Sequence, residues 1–173
     1  MEKKKLGRRL LKGFIIFAVI LVLVIGGYYV FFYNKNNVKG QEIVLKNPVI
    51  GLSDEQAVSQ FNESFVLFLL ASIGIQNLHN PPLSREIPKM EIYVDDLVFT
   101  AIVINKGISI GRGNIEEPDI RIKTNKNEAI KMLRDRNYIS KSFGTGNSKI
   151  ELLAGKTTLF TKGYLDIYNK IKG

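Results

Sequence analysis

The chain has 173 residues, a formal net charge of +9, and neither cysteine nor tryptophan. The lack of cysteine excludes disulfides, thiol catalysis and cysteine-ligated metals. The charge is unevenly placed: Lys3, Lys4, Lys5, Arg8, Arg9 and Lys12 with Glu2 contribute +5, leaving +4 on the rest. No basic stripe interleaved with aromatics follows, which argues against a nucleic-acid partner.

Residues 1–13 read as a basic cytoplasmic tail. The next twenty, Phe14 to Tyr33, carry no charge. As a helix they span about 30 Å, the thickness of a bilayer's hydrocarbon core. The cation excess before this run predicts a cytoplasmic N-terminus and an extracytoplasmic remainder, and Tyr28, Tyr29 and Tyr33 suit the far interface. The main reading is an uncleaved signal anchor of the cell membrane. A cleaved signal peptide has a shorter apolar region and a small-x-small cleavage site. A prepilin-like site at Lys12-Gly13-Phe14 is the other alternative, but Ala18 stands where bacterial pilins carry Glu, and Asn34 to Lys39 is rich in helix breakers. Residues 34–46 form a polar linker, and 47–173 one α+β domain.

Ser53-Asp54-Glu55-Gln56 has the form of a capping box and opens a helix toward Gln76. Ala57, Phe61, Phe65 and Leu69 recur every fourth residue, with Phe68 widening the stripe. From Phe65 to Ile75 the segment is apolar nearly all round, as in a helix that is buried on several sides or lines an apolar site. Asn80-Pro81-Pro82 ends it, and the single histidine, His79, reads as a plain loop residue.

Met90, Ile92 and Val94 alternate with polar residues as a strand, and Asp95-Asp96 is a hairpin turn. Leu97 to Ile104 is almost wholly apolar. Asn105-Lys106-Gly107 turns into a strand with Ile108 and Ile110, and Gly111 to Glu117 is a loop. Asp119 to Lys123 alternates again. Short turns between neighbouring strands predict a mostly antiparallel sheet. Asn125 opens a helix through Asn137, with Ala129, Ile130 and Leu133 on one face. Tyr138, Ile139 and Phe143 form a further apolar group. Ser148 to Leu153 is a strand. A terminal amphipathic helix spans Lys156 to Lys170, with Phe160, Tyr164, Ile167, Tyr168 and Ile171 as its stripe and Gly163 inside.

No catalytic constellation emerges, and no metal or other cofactor is expected. Gly155-Lys156-Thr157 lacks the earlier glycine of a phosphate-binding loop, since Ile150 occupies that place. Gly111-x-Gly113 and Gly144-x-Gly146 are turns. Asp95, Asp96, Glu116, Glu117 and Asp119 read as solvated turn residues rather than an acid–base pair.

Glu117-Pro118-Asp119-Ile120-Arg121-Ile122 resembles the P-D-hydrophobic-x-hydrophobic strand of sterol-carrier-protein type-2 domains. Phe143-Gly144-Thr145-Gly146 through Leu152 resembles the strand before that family's closing helix. The order of elements from Met90 onward is similar as well. The phrase Lys156-Thr157-Thr158-Leu159-Phe160-Thr161-Lys162-Gly163-Tyr164-Leu165 has no assigned role. The resemblance implies a five-stranded sheet covered by helices around an apolar tunnel for a lipid. The bulky candidates for its wall are Phe61, Phe65, Phe68, Leu69, Leu133, Phe143, Phe160, Tyr164 and Tyr168, although a solid core needs the same residues.

Two functions remain open. One is a non-catalytic, membrane-anchored module that binds or presents a lipid or other apolar ligand. The other is a scaffold of a cell-envelope complex with a protein partner and no pocket. A pilin-like subunit ranks below both, and an envelope enzyme has only the acidic turns behind it.

Overall fold

A computed structural model describes residues 45–82 and 84–172. The basic tail, the apolar run and all but the last two residues of the linker lie outside the described residues. Among the described residues no helix is long and apolar enough to cross a membrane.

The capping box forms as expected: Ser53 Oγ accepts from the Gln56 N–H, and Gln56 Oε1 accepts from the Ser53 N–H at 2.8 Å. The helix it opens is short. Helix α1 covers Asp54–Ser59, and α2 covers Glu63–Ser72. The expected continuous helix breaks because Asn62 leaves the helical conformation (φ −150°) and caps α2, its Oδ1 accepting from the Ser64 N–H at 2.9 Å. An Asn carboxamide satisfies a free N–H at a helix start better than it sustains a helix interior. The break turns Phe61 inward, with its ring 5.1 Å from Phe65 and 6.3 Å from Phe99. Helix α2 buries Phe65, Val66, Phe68, Leu69 and Leu70, as its all-round apolar sequence demands.

Five strands follow: β1 Lys89–Val94, β2 Leu97–Ile104, β3 Gly107–Arg112, β4 Ile120–Thr124 and, after two helices, β5 Lys149–Leu152. Their order in the sheet is β3-β2-β1-β4-β5. The sheet is mixed, which corrects the mostly antiparallel expectation. β1 and β4 run parallel at its centre, Met90 opposite Ile120 and Val94 opposite Thr124, while the other three pairings are antiparallel. Residues 113–119 make this possible. They leave β3 at one edge and cross the sheet's outer face to enter β4 alongside β1. Seven extended residues reach at most about 25 Å, enough to pass three strand spacings of about 4.8 Å each. The crossing chain is pinned as it goes: Gly113 N–H donates to Val98 O at 2.9 Å, Ile115 N–H to Glu91 Oε1 at 3.3 Å, and Asp119 N–H to Lys89 O at 2.9 Å.

The inner face carries Met90, Ile92, Val94, Phe99, Ala101, Val103, Ile120 and Ile122, all buried in one core cluster with the helices. Helix α3 covers Lys126–Arg134, and α4 covers Tyr138–Gly144. The expected helix through Asn137 therefore ends early, at an extended Asp135. Arg134 ties α3 to α1, its Nε on Asp54 Oδ1 and its Nη2 on Leu52 O, each at 2.8 Å.

The terminal helix is also two pieces, α5 Lys156–Lys162 and α6 Tyr164–Lys172. Gly163 separates them at φ +87°, a left-handed conformation that glycine adopts without a steric cost. The sequence stripe assumed one unbroken helix. The corner re-aims its first member, and Phe160 stands 71% exposed while Leu159 is buried in its place.

Candidate functional site

The residues singled out in the sequence fall in three places. Phe61, Phe65, Phe68, Leu69, Leu133 and Phe143 lie within the core cluster, packed with the inner face of the sheet. Tyr164 is also buried, but its hydroxyl serves a polar cluster. Tyr168 is half-buried, with Lys172 Nζ 5.5 Å from its ring centroid, and Phe160 is exposed. His79 is exposed, its Nδ1 3.1 Å from Asn80 O. Asp95, Asp96, Glu116 and Glu117 are exposed turn residues, and no group of carboxylates and histidines suited to a metal occurs among the described residues.

Asp119 departs from its expected place in a solvated turn: it is 4% exposed. Its Oδ1 lies 2.8 Å from Lys162 Nζ, and its Oδ2 accepts from Lys162 Nζ at 3.0 Å, the Lys89 N–H at 2.8 Å and the Tyr164 hydroxyl at 3.0 Å. Lys162, 3% exposed, also donates to Ile87 O at 3.1 Å. The Asp119 carbonyl accepts from the N–H groups of Leu153 and Ala154, both at 2.9 Å. One aspartate therefore joins the start of β4, the approach to β1, the exit of β5 and the corner between α5 and α6. Burial raises the Tyr164 phenol far above the usual tyrosine range, and the adjacent Asp119 charge raises it further. The phrase around Lys162-Gly163-Tyr164, which had no role in the sequence, supplies two of Asp119's partners and the bend that delivers them. The sequence signal was present as Pro118-Asp119 before an alternating strand, but nothing local announces a partner 43 residues away.

This cluster floors an open cleft of about 810 Å³ at one end of the sheet. Ile87, Pro118, Leu153 and Ala154 give it an apolar strip, and Arg85, Lys89, Arg121, Glu86 and Glu117 give it charge. None of the nine aromatic and aliphatic candidates lines it. Arg121 is engaged on the outer face, donating from Nε and Nη2 to the buried Glu91 at 3.0 and 2.8 Å. Among the described residues Lys89 Nζ donates only to Glu116 O, at 3.3 Å.

A second polar cluster lies where β4 ends and β5 begins. Glu128 accepts from Ser142 Oγ at 2.8 Å, Lys131 Nζ at 2.9 Å and the Tyr138 hydroxyl. Ser142 continues to Ser148, and Ser148 to Thr124, at 2.9 and 2.7 Å. Burial alone would raise the Glu128 carboxyl, but the hydrogen bonds from Lys131, Ser142 and Tyr138 outweigh it and leave the group below the usual carboxylate range. Ser142 and Ser148 are buried, while Thr124 and Tyr138 at the ends of this chain of hydroxyls are half-buried.

No protein-family model matches the sequence, and no curated protein matches it. Similar solved structures include the inverting sec-alkylsulfatase Pisa1 from Pseudomonas sp., at 11% identity and TM-score 0.34 over 50% of this chain and 13% of that one. The chain thus spans a small part of that enzyme's length. A ubiquinone synthesis protein, UbiJ-SCP2, is similar at 12% identity and TM-score 0.36, over 64% of this chain and 87% of that one. Palmitated SCP2L2 from Aedes aegypti is similar at 20% identity and TM-score 0.34, over 61% of this chain and 93% of that one.

Proposed function

We propose that the chain is a non-catalytic module of the cell membrane, anchored by residues 14–33 with its α+β domain outside, and that this domain engages an amphiphilic lipid-like ligand. The observation that carries the reading is the cleft beside Asp119. Its volume of about 810 Å³ suits a ligand of modest size, and it sets an apolar strip against unlike charges. An acyl segment laid on Ile87, Pro118 and Leu153 gains about 0.8 kcal/mol per buried CH₂. A polar head group meets Arg85 and Lys89. The resemblance of Glu117 to Ile122 to the sterol-carrier strand motif supports the same ligand class. The cleft, rather than the wall formed by the nine aromatic and aliphatic candidates, is the place this reading assigns to the ligand.

The test is retention of lipid by the full chain, purified from membranes and measured by native mass spectrometry. One bound amphiphile per chain is expected, with occupancy falling about tenfold in Leu153→Asp and in Arg85→Glu. A chain that carries no lipid, or variants that bind as well as the parent, overturns the reading.

A scaffold role in a cell-envelope complex is the second reading. Phe160, 71% exposed on α5, is the side chain at which such a contact would be sought. Phe160→Ser would then abolish capture of an envelope protein while leaving lipid retention intact.

A further inference from the structure

Asn62-Glu63-Ser64 is the one place in the sequence where Asn is followed two residues on by Ser or Thr across a residue other than Pro. That pattern is the acceptor for N-linked glycans on extracytoplasmic surfaces. Asn62 is half-buried at the start of α2, and its side-chain bonding is compatible with the modification. Asn62 Oδ1 is spent on the Ser64 N–H, whereas Nδ2, the nitrogen a glycan would occupy, makes no hydrogen bond among the described residues. Replacing one of its hydrogens leaves the α2 cap intact. Ser64 is exposed, and its hydroxyl is likewise unengaged among the described residues. The charge between them is held aside, since the Glu63 carboxylate is bound by the Arg112 guanidinium on β3.

We propose that Asn62 is a glycan acceptor of the outward-facing domain, an inference that rests on the topology argued above. The reaction joins Asn62 Nδ2 to the anomeric carbon of a saccharide carried on a lipid phosphate. The carbon–oxygen bond to the phosphate breaks, the lipid phosphate leaves with the bonding pair, and the amide nitrogen gives up one proton to the transferase.

The experiment isolates the full chain from the membranes of a cell that makes N-linked glycans and reads peptide masses around Asn62. A hexose-containing mass increment on Asn62 is expected, lost completely in Ser64→Ala and in Asn62→Asp. The latter keeps an oxygen for the Ser64 N–H, so the fold and its melting temperature persist while the acceptor nitrogen is gone. Asn62 recovered only in unmodified form overturns the proposal, as does an increment that survives Ser64→Ala. Protease added to intact cells separates the two ideas. If it cuts the domain while Asn62 is bare, the glycan proposal alone falls. If the domain is protected, the outward topology falls with it.

Discussion

Asp119 shows how much a single buried carboxylate costs and what it must have in return. Stripping water from an ion is repaid only by close opposite charge and saturated hydrogen bonding, and Asp119 has both in Lys162, Tyr164 and the Lys89 N–H. Removing one partner is worse than removing both. Lys162→Met should therefore lower unfolding free energy by about 3–5 kcal/mol, and Lys162→Met with Asp119→Leu should recover part of that loss. Urea unfolding followed by circular dichroism measures both, and equal stability of the two variants would refute the pairing. Tyr164 adds a pH signature. Its phenol titrates above the ordinary value of 10.0 in the folded chain. The unfolded chain releases that proton first as pH climbs past about 10, so the stability this group gives is whole below that pH and drains away above it. Tyr164→Phe should flatten the alkaline fall while costing about 1–2 kcal/mol at neutral pH through the lost hydrogen bonds.

At the scale of elements, strand alternation and helix stripes were legible in the sequence, and the breaks within helices were not. The periodicity of Ala57, Phe61, Phe65 and Leu69 is satisfied equally by one helix and by two with a capped corner. What decides is that Asn62 can hold the Ser64 N–H while Phe61 reaches Phe99 across the layer, a tertiary contact no local window contains. Gly163 was visible as a residue unfavourable in a helix, but its left-handed corner follows from where Lys162 and Tyr164 must both point. The corner yields a prediction. Among the described residues a Cβ at Gly163 would meet only Leu78 Cδ2 at 3.7 Å and His79 Nε2 at 3.9 Å, ordinary contacts. Gly163→Ala should thus cost about 1 kcal/mol, from the left-handed backbone alone. A loss several times larger in thermal or urea unfolding would mean that the corner is crowded. The parallel pairing of β1 with β4 was hidden for another reason: a seven-residue connection looks like a hairpin loop until its route over Glu91 is known.

For the whole domain, the candidate pocket wall and the core are the same residues, and composition cannot separate them. Phe61, Phe65, Phe68, Leu69, Leu133 and Phe143 are as apolar in a tunnel as in a filled layer. All six are buried in one cluster, and the cleft at the sheet's end is lined by residues chosen by no hydrophobic pattern, such as Arg85, Lys89 and Leu153. A shared cluster has a mechanical consequence. Phe99 is fully buried at its middle, beside the ring of Phe61 from the turn between α1 and α2 and under the Arg112 guanidinium from β3. Truncating it leaves a cavity that neither helices nor sheet can close alone, so Phe99→Ala should cost about 3–5 kcal/mol. Phe160→Ala, in water at the α5 surface, should change stability by no more than about 0.5 kcal/mol. Because one cluster joins both layers, secondary-structure and tyrosine-environment signals should move to a lower urea midpoint together in Phe99→Ala. Two separated transitions would mean that helices and sheet are held by different cores, and a mild Phe99→Ala beside a severe Phe160→Ala would place the structural centre at the domain's surface instead.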